Sequence, residues 1–168
     1  YAVLAMLIGV SFLRLIQNDR ASVRTTRGLR GQLQTMLGAH LLGSILNLSI
    51  LTLLGQRLSP AGRLNRAQGL ALIRGFALAS TWSPFFASVG IILLAVPGAQ
   101  YGDMVPYGFG LAACAGLITL WQLHQAPESS AATGFSLRFQ SLKVPLIMAS
   151  TVLLAHYIWP LVPILTIV

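Results

Sequence analysis

Charge is scarce in this chain: only 8% of its residues are Asp, Glu, Lys or Arg, and only three of its 168 residues are acidic. Because 55% are hydrophobic, it carries more apolar surface than one soluble core could bury. The expected medium is therefore a lipid bilayer. A lone cysteine, Cys114, excludes a disulfide framework and a thiolate metal site, and within its apolar run it reads as a small packing residue. The histidines, His40, His124 and His156, lie far apart with no local ligand spacing, so no metal is expected. A His-Glu-x-x-His motif, a Gly-x-Ser-x-Gly elbow and a carboxylate pair within the apolar runs are all absent. The period-2 alternation of barrel strands is missing as well. In lipid, that leaves helices, which satisfy their own backbone groups.

Apolar runs recur at Tyr1 to Leu13, Met36 to Leu54, Gly75 to Val96, Val105 to Leu123 and Val144 to Val168. Several approach the roughly 20 residues that a helix needs to cross a bilayer. The fold class expected is an all-α integral membrane protein, a polytopic helical bundle. The chain begins at Tyr1 inside an apolar run with no basic stretch before it, and it stops inside "WPLVPILTIV". A piece of a longer polytopic chain is expected on that ground, without a secretory signal peptide.

The net charge of +8 falls almost entirely in two short stretches beside apolar runs, which argues against a nucleic-acid partner. The first contains Arg20, Arg24 and Arg27, on one face of a helix lying along the membrane surface. The second contains Arg57, Arg63, Arg66 and Arg74. Arg20, Arg24, Arg27, Arg63, Arg66 and Arg74 are the expected contacts to lipid headgroups. Cationic stretches favour the cytoplasmic face, yet both cannot lie there if the segment between them crosses once.

A re-entrant hairpin over 35–58 resolves the conflict, entering and leaving the bilayer as two short arms. Its tip must be buried in protein or line a wet cavity, and Gly43, Ser44 and Asn47, preceded by His40, suit that place. The alternative is a continuous helix in which His40, Ser44 and Asn47 form one polar stripe. With the hairpin, the order becomes a membrane helix at 1–16, a basic interfacial helix at 19–34, the hairpin, and a broken membrane helix at 67–97. A membrane helix at 104–123, a cytoplasmic connector at 125–143 and a last membrane helix at 144–168 follow. Asp103 then lies in a short external loop.

The broken helix is read from "STWSPFF", Ser80 to Phe86. Pro84 has no N–H, and its ring clashes with the carbonyl of Ser80 in a helix. Ser83 followed by Pro84 is also a helix-start signature, which places a second half-helix from Pro84 with its positive end near mid-membrane. Such an end binds anions. The alternative is a Pro-kinked helix whose freed carbonyl finds a hydroxyl nearby.

With "GAHLLGSILNLS" at a hairpin tip and "STWSPFF" at a break, the layout resembles one repeat of the ion transporter superfamily. That group includes dicarboxylate and citrate carriers, arsenite permeases and the large membrane subunit of tripartite carboxylate transporters. The Ser-Asn-Thr triplet expected at the hairpin tips of its dicarboxylate carriers is not present here. The resemblance implies a secondary active transporter built from two inverted repeats, working by an elevator-like alternation of access in a bacterial cytoplasmic membrane. It implies a small anionic, carboxylate-type solute held by Gly43, Ser44, Asn47, Thr81, Trp82, Ser83 and Pro84. His40 and Ser80 are the candidates for coupling to H+ or Na+, and no other cofactor is expected. A homodimer of the full-length protein is an assembly the resemblance allows.

Two other classes stay open on the residues alone. Arg63, Arg66 and Arg74 share a helical face, and guanidinium pairs bidentately with phosphate, as an enzyme acting on a lipid-linked phosphate would need. A non-catalytic membrane subunit would use the same arginines only as lipid anchors.

Overall fold

The computed structural model describes residues 26–59 and 62–137, with further helical positions scattered between 142 and 158. The segment expected at 1–16, with Arg20 and Arg24, lies outside the described residues, as does most of 144–168. What is described is mostly helical: α1 (Gly28–Leu46), α2 (Ser49–Leu58), α3 (Arg66–Ala79), α4 (Ala87–Ala95) and α5 (Tyr101–Gln125). Two short strands, β1 (Thr26–Arg27) and β2 (Thr133–Gly134), pair antiparallel with Thr26 opposite Gly134.

One end of the bundle is organised around residues 132–134. Gly28 turns the chain out of β1 at φ 71°, a conformation that glycine adopts without a side-chain penalty, and donates its N–H to Ala132 O at 3.1 Å. Gln32 of α1 reaches Ala132 O at 3.4 Å, and Gln68 of α3 reaches Thr133 O at 2.8 Å. Gln68 also closes a capping box with Asn65, which satisfies two orphan groups at the start of α3. Because α1 and α3 both start against the same short segment, they run parallel.

They also keep step. Met36 meets Gly75 and Ser44 meets Ser83, at the same offset of 39 residues. Gly75 sets the spacing, since a Cβ there would stand 2.3 Å from Met36 O. The two helices therefore touch backbone to backbone.

The chain leaves α1 at Asn47 and turns through Leu48 into α2. Gly55 of α2 lies beside Leu72 of α3, so α2 runs back along the bundle and α1 and α2 form a hairpin that opens toward the Thr133 end. Ile50, Leu54 and Leu58 fall four apart on α2 and are buried with Ala39, Leu42, Leu46, Leu72 and Phe135 in the main core. Its arms are unequal: α1 has 19 residues, about 28 Å, and α2 has 10, about 15 Å.

Helix α5 runs opposite to α3, with Gly108 against Thr81 at one end and Gln122 against Arg74 at the other. It has 25 residues, and among the described residues it alone is long and apolar enough to cross a membrane. At 1.5 Å per residue it spans about 37 Å. Its outer face leaves Leu111, Leu117, Ile118 and Trp121 exposed.

Several boundaries differ from the sequence expectation. No helix end separates 19–34 from 35–58, because α1 runs unbroken from Gly28 past Thr35. The reason is tertiary: Gln32 and Thr35 are buried, and Thr35 Oγ1 accepts from Phe135 N at 2.8 Å. The connector expected at 125–143 carries a 3-10 turn (Pro127–Ser129) and β2, and so clamps the start of α1. Helix α5 begins at Tyr101, three residues before the expected 104, which puts Asp103 in its first turn rather than in a loop. Gly98 at φ 81° makes the turn that permits the earlier start.

Candidate functional site

Helices α1 and α3 both lose regular structure at the same level of the bundle, and the two irregular stretches pack on each other. On the α1 side the cause is Asn47. Its φ of 54° with ψ of −143° is the only positive φ of a non-glycine among the described residues. The side chain supplies a local partner at that turn: Oδ1 accepts from Leu48 N at 2.8 Å. Gly43 and Ser44, expected at the hairpin tip with Asn47, instead remain inside α1, which stays helical to Leu46. Gly43 is there for packing, with Phe76 and Ile50 against the place of a Cβ.

On the α3 side the cause is Pro84. The chain is not helical from Ser80 to Phe86, and the Ser80 carbonyl freed by the proline accepts from Ser88 Oγ at 3.1 Å. The second half-helix, α4, starts at Ala87 with Phe86 as N-cap, rather than at Pro84 behind Ser83. Ser83 is spent otherwise. Its hydroxyl donates to Ser44 O at 2.5 Å and accepts from Phe85 N at 3.3 Å, while its carbonyl accepts from Phe86 N at 3.1 Å. These bonds hold a tight turn from Ser83 to Phe86, so the helix cannot start until Ala87. The N–H groups of Ala87 and Ser88 have no acceptor among the described residues, and both residues are exposed.

Three contacts tie α1 and its turn to the break, and a fourth ties α3 to it. Besides Ser83 to Ser44, Asn47 Nδ2 lies 3.5 Å from Phe85 O, the limit of a hydrogen bond. Trp82 donates its indole N–H to His40 Nε2 at 3.2 Å. The rings of Phe76 and Phe86 pack with centroids 5.3 Å apart. Helix α5 supports the break from its other side: Tyr101 donates to Trp82 O at 2.9 Å, Phe109 stacks on Trp82 at 4.3 Å, and Thr81 Oγ1 lies 3.0 Å from Gly108 O.

The partners of His40 fix its tautomer. Indole N–H can only donate, so Nε2 must carry the lone pair; Gly75 O, 3.3 Å from Nδ1, can only accept, so Nδ1 must carry the hydrogen. His40 is therefore a neutral imidazole in this arrangement. A second proton, on Nε2, would face the indole hydrogen and break that bond.

Of the residues expected from the sequence to hold a solute, the fold brings Gly43, Ser44, Asn47, Trp82, Ser83 and Pro84 together with His40. Most of their hydroxyl neighbours are already engaged: Ser44 Oγ turns back to Leu41 O at 2.8 Å, Ser80 Oγ to Ala77 O at 2.7 Å, and Thr81 Oγ1 to Leu78 O at 2.8 Å. The groups left for a ligand are the free N–H groups at the start of α4 and the Asn47 amide. The arginines stand elsewhere. Arg66 and Arg74 lie along α3 toward the other end, Arg63 precedes it with its N–H on Ser59 Oγ, and Arg27 is exposed on β1.

A cleft of about 540 Å³ beside the break is lined by Ser80, Thr81, Gln100, Asp103 and apolar residues of α4 and α5. Asp103 thus stands near the break, which the loop assignment hid. Phe86, Phe109, Tyr101 and Ser88 are the supporting residues that sequence reasoning missed. Only Ser88 had a signal, a hydroxyl four residues after Pro84. Among the described residues, no group of three His, Cys, Asp or Glu side chains comes together to hold a metal ion. Comparison of the chain with protein-family models, curated proteins and solved structures finds no match in any of the three.

Proposed function

We propose that this chain is part of a secondary active transporter in a bacterial cytoplasmic membrane, carrying a small carboxylate-type anion by an elevator-like alternation of access. One observation supports the reading above all: the Asn47 turn and the Ser80–Phe86 break lie side by side, with Ser83 bonded to Ser44 in the last turn of α1 and the Asn47 amide 3.5 Å from Phe85 O. Irregular backbone at membrane depth is tolerated only where protein or a wet cavity covers it, and here each irregular stretch covers the other. Carriers place solute at such broken helices because the ends of half-helices supply unpaired polar groups.

The sign of the solute follows from those groups. Ala87 and Ser88 present two N–H groups with no acceptor among the described residues at the positive end of α4, and the Asn47 amide lies 3.5 Å from the carbonyl of Phe85, two residues before Ala87. No acidic residue lies among the turn and break residues themselves, and the carboxylate near them, Asp103, lines the cleft on the α5 side of the break. His40 is the group that would exchange a coupling proton, with release of Trp82 as the consequence. A coupling Na+ would need neutral oxygens, of which the Ser80 carbonyl is one.

Uptake of labelled di- and tricarboxylates into proteoliposomes holding the full-length protein tests the proposal. Saturable uptake that depends on an imposed Na+ or H+ gradient is expected. No uptake of any of them above protein-free liposomes would refute it.

A further inference from the structure

The bundle holds a second polar site far from the turn and the break. A cleft of about 350 Å³ opens between α3, the end of α5 and the 3-10 turn, and its charged and amide lining consists of Arg66, Arg74, Gln122, Gln125 and Glu128. Arg74 crosses to α5, where its Nη1 donates to Gln122 Oε1 at 2.8 Å and approaches Thr119 Oγ1 at 3.4 Å. That bond occupies the Gln122 oxygen and leaves its amide hydrogens as donors. The remaining guanidinium hydrogens of Arg74 and all those of Arg66 have no acceptor among the described residues.

Glu128 lines the same cleft, and among the described residues its carboxylate has no hydrogen-bond partner and forms no ion pair with either arginine. Opposite charges that share a cleft without closing on each other are the complement of a ligand carrying both signs. Phosphate suits the arginines and the amide donors, since guanidinium binds it through parallel hydrogen bonds. A primary ammonium suits Glu128, to which it can donate. A purely anionic group would meet the carboxylate as a repulsion, and a quaternary ammonium has no hydrogen to give it.

The position names the source of that chemistry. The cleft lies where α5 ends at Gln125, and just before it Trp121 is exposed, a residue enriched at the level of lipid headgroups. Ile73 of α3 and Ile118 of α5 are exposed on the approach to it, an apolar surface for acyl chains. We infer that this cleft is a binding site for the phosphoethanolamine headgroup of a zwitterionic phospholipid, with Arg66 and Arg74 on the phosphate and Glu128 on the ammonium. The site does not depend on the carriage of a solute, only on α5 lying in a membrane.

Native mass spectrometry of the full-length protein in detergent, with phosphatidylethanolamine, phosphatidylcholine or phosphatidylglycerol added at equal concentration, tests this. Phosphatidylethanolamine should be retained about tenfold better than either of the others, the effect of one charge-assisted hydrogen bond. Glu128→Gln should remove that preference while keeping the protein folded, and Arg66→Gln should weaken retention of all three. Arg74→Gln should do so more strongly, but Arg74 also joins α3 to α5, so Arg66→Gln is the variant that decides. Equal retention of the three lipids by the wild type, or an unchanged preference in Glu128→Gln, would overturn the inference. Soluble phosphoethanolamine binding as tightly as the lipid would overturn the assignment to a headgroup.

Discussion

Trp82 and His40 are joined by a hydrogen bond of 3.2 Å from indole Nε1 to imidazole Nε2, and this bond links the break after α3 to the middle of α1. His40 is held on its other side by Gly75 O at 3.3 Å, so one neutral ring bridges two helices and the break. Nitrogen-15 NMR of the full-length protein should show His40 with a protonated Nδ1 and a bare Nε2. Equal populations of the two tautomers would contradict the assignment.

His40→Gln should be tolerated, because the amide oxygen can accept from Trp82 and the amide nitrogen can donate to Gly75. His40→Phe fills the space without either bond and leaves the Trp82 N–H unpaired, at a cost of about 1–3 kcal/mol. Thermal unfolding in detergent should separate the two variants. Equal loss in both would mean that the ring is needed for its shape alone.

Glycines give a sharper test of the packing. A Cβ at Gly75 would stand 2.3 Å from Met36 O, and one at Gly108 would stand 2.2 Å from Thr81 O, both backbone atoms that cannot step aside alone. Gly75→Ala and Gly108→Ala should each destabilise the protein by about 1–3 kcal/mol or more, as overpacking does. Gly69 and Gly110 have nothing within 4 Å of the same position. Gly69→Ala and Gly110→Ala should therefore be neutral, or stabilise by about 0.5–1 kcal/mol through helix propensity. Melting temperatures of the four variants check the pattern.

Ser83 is fully buried and its hydroxyl serves two backbone groups, whereas Ser88 is exposed and serves one. Ser83→Ala should cost about 1–3 kcal/mol, because Ser44 O and Phe85 N lose their partner in a site that water does not reach. Ser88→Ala should cost less than about 1 kcal/mol, since solvent can replace an exposed bond. Denaturant or thermal melts of the two variants should rank them in that order, and the reverse order would contradict the geometry.

The parts of this arrangement visible in the sequence are those set by one residue's own chemistry. Pro84 interrupts a helix wherever it sits in one, so an interruption near Ser80 could be read without a structure. The length of that interruption could not. It is set by Ser83 reaching Ser44, a residue 39 positions away. Asn47 was legible as a polar residue in an apolar run, but its role as the turning point depends on a backbone angle that side-chain pattern does not encode. The pairing of Thr26 with Gly134 left no signal at all, being two residues per strand and joining segments from opposite ends of the described chain. The start of α5 was misplaced because Gly102 and Pro106 resemble loop residues, whereas Tyr101, bonded to Trp82, anchors the first turn.

The central claim, that an anion binds between the Asn47 turn and the start of α4, is tested most directly by the affinity of the full-length protein for its transported carboxylate in two variants at Asn47. Asn47→Asp keeps the oxygen that accepts from Leu48 N and adds a negative charge at the site, so the fold should survive while carboxylate affinity falls by about tenfold or more, the effect of a repulsion above 1.4 kcal/mol. Asn47→Gly relieves the backbone at φ 54° and removes the amide, so affinity should fall less with stability unharmed. Wild-type affinity in Asn47→Asp would contradict the claim.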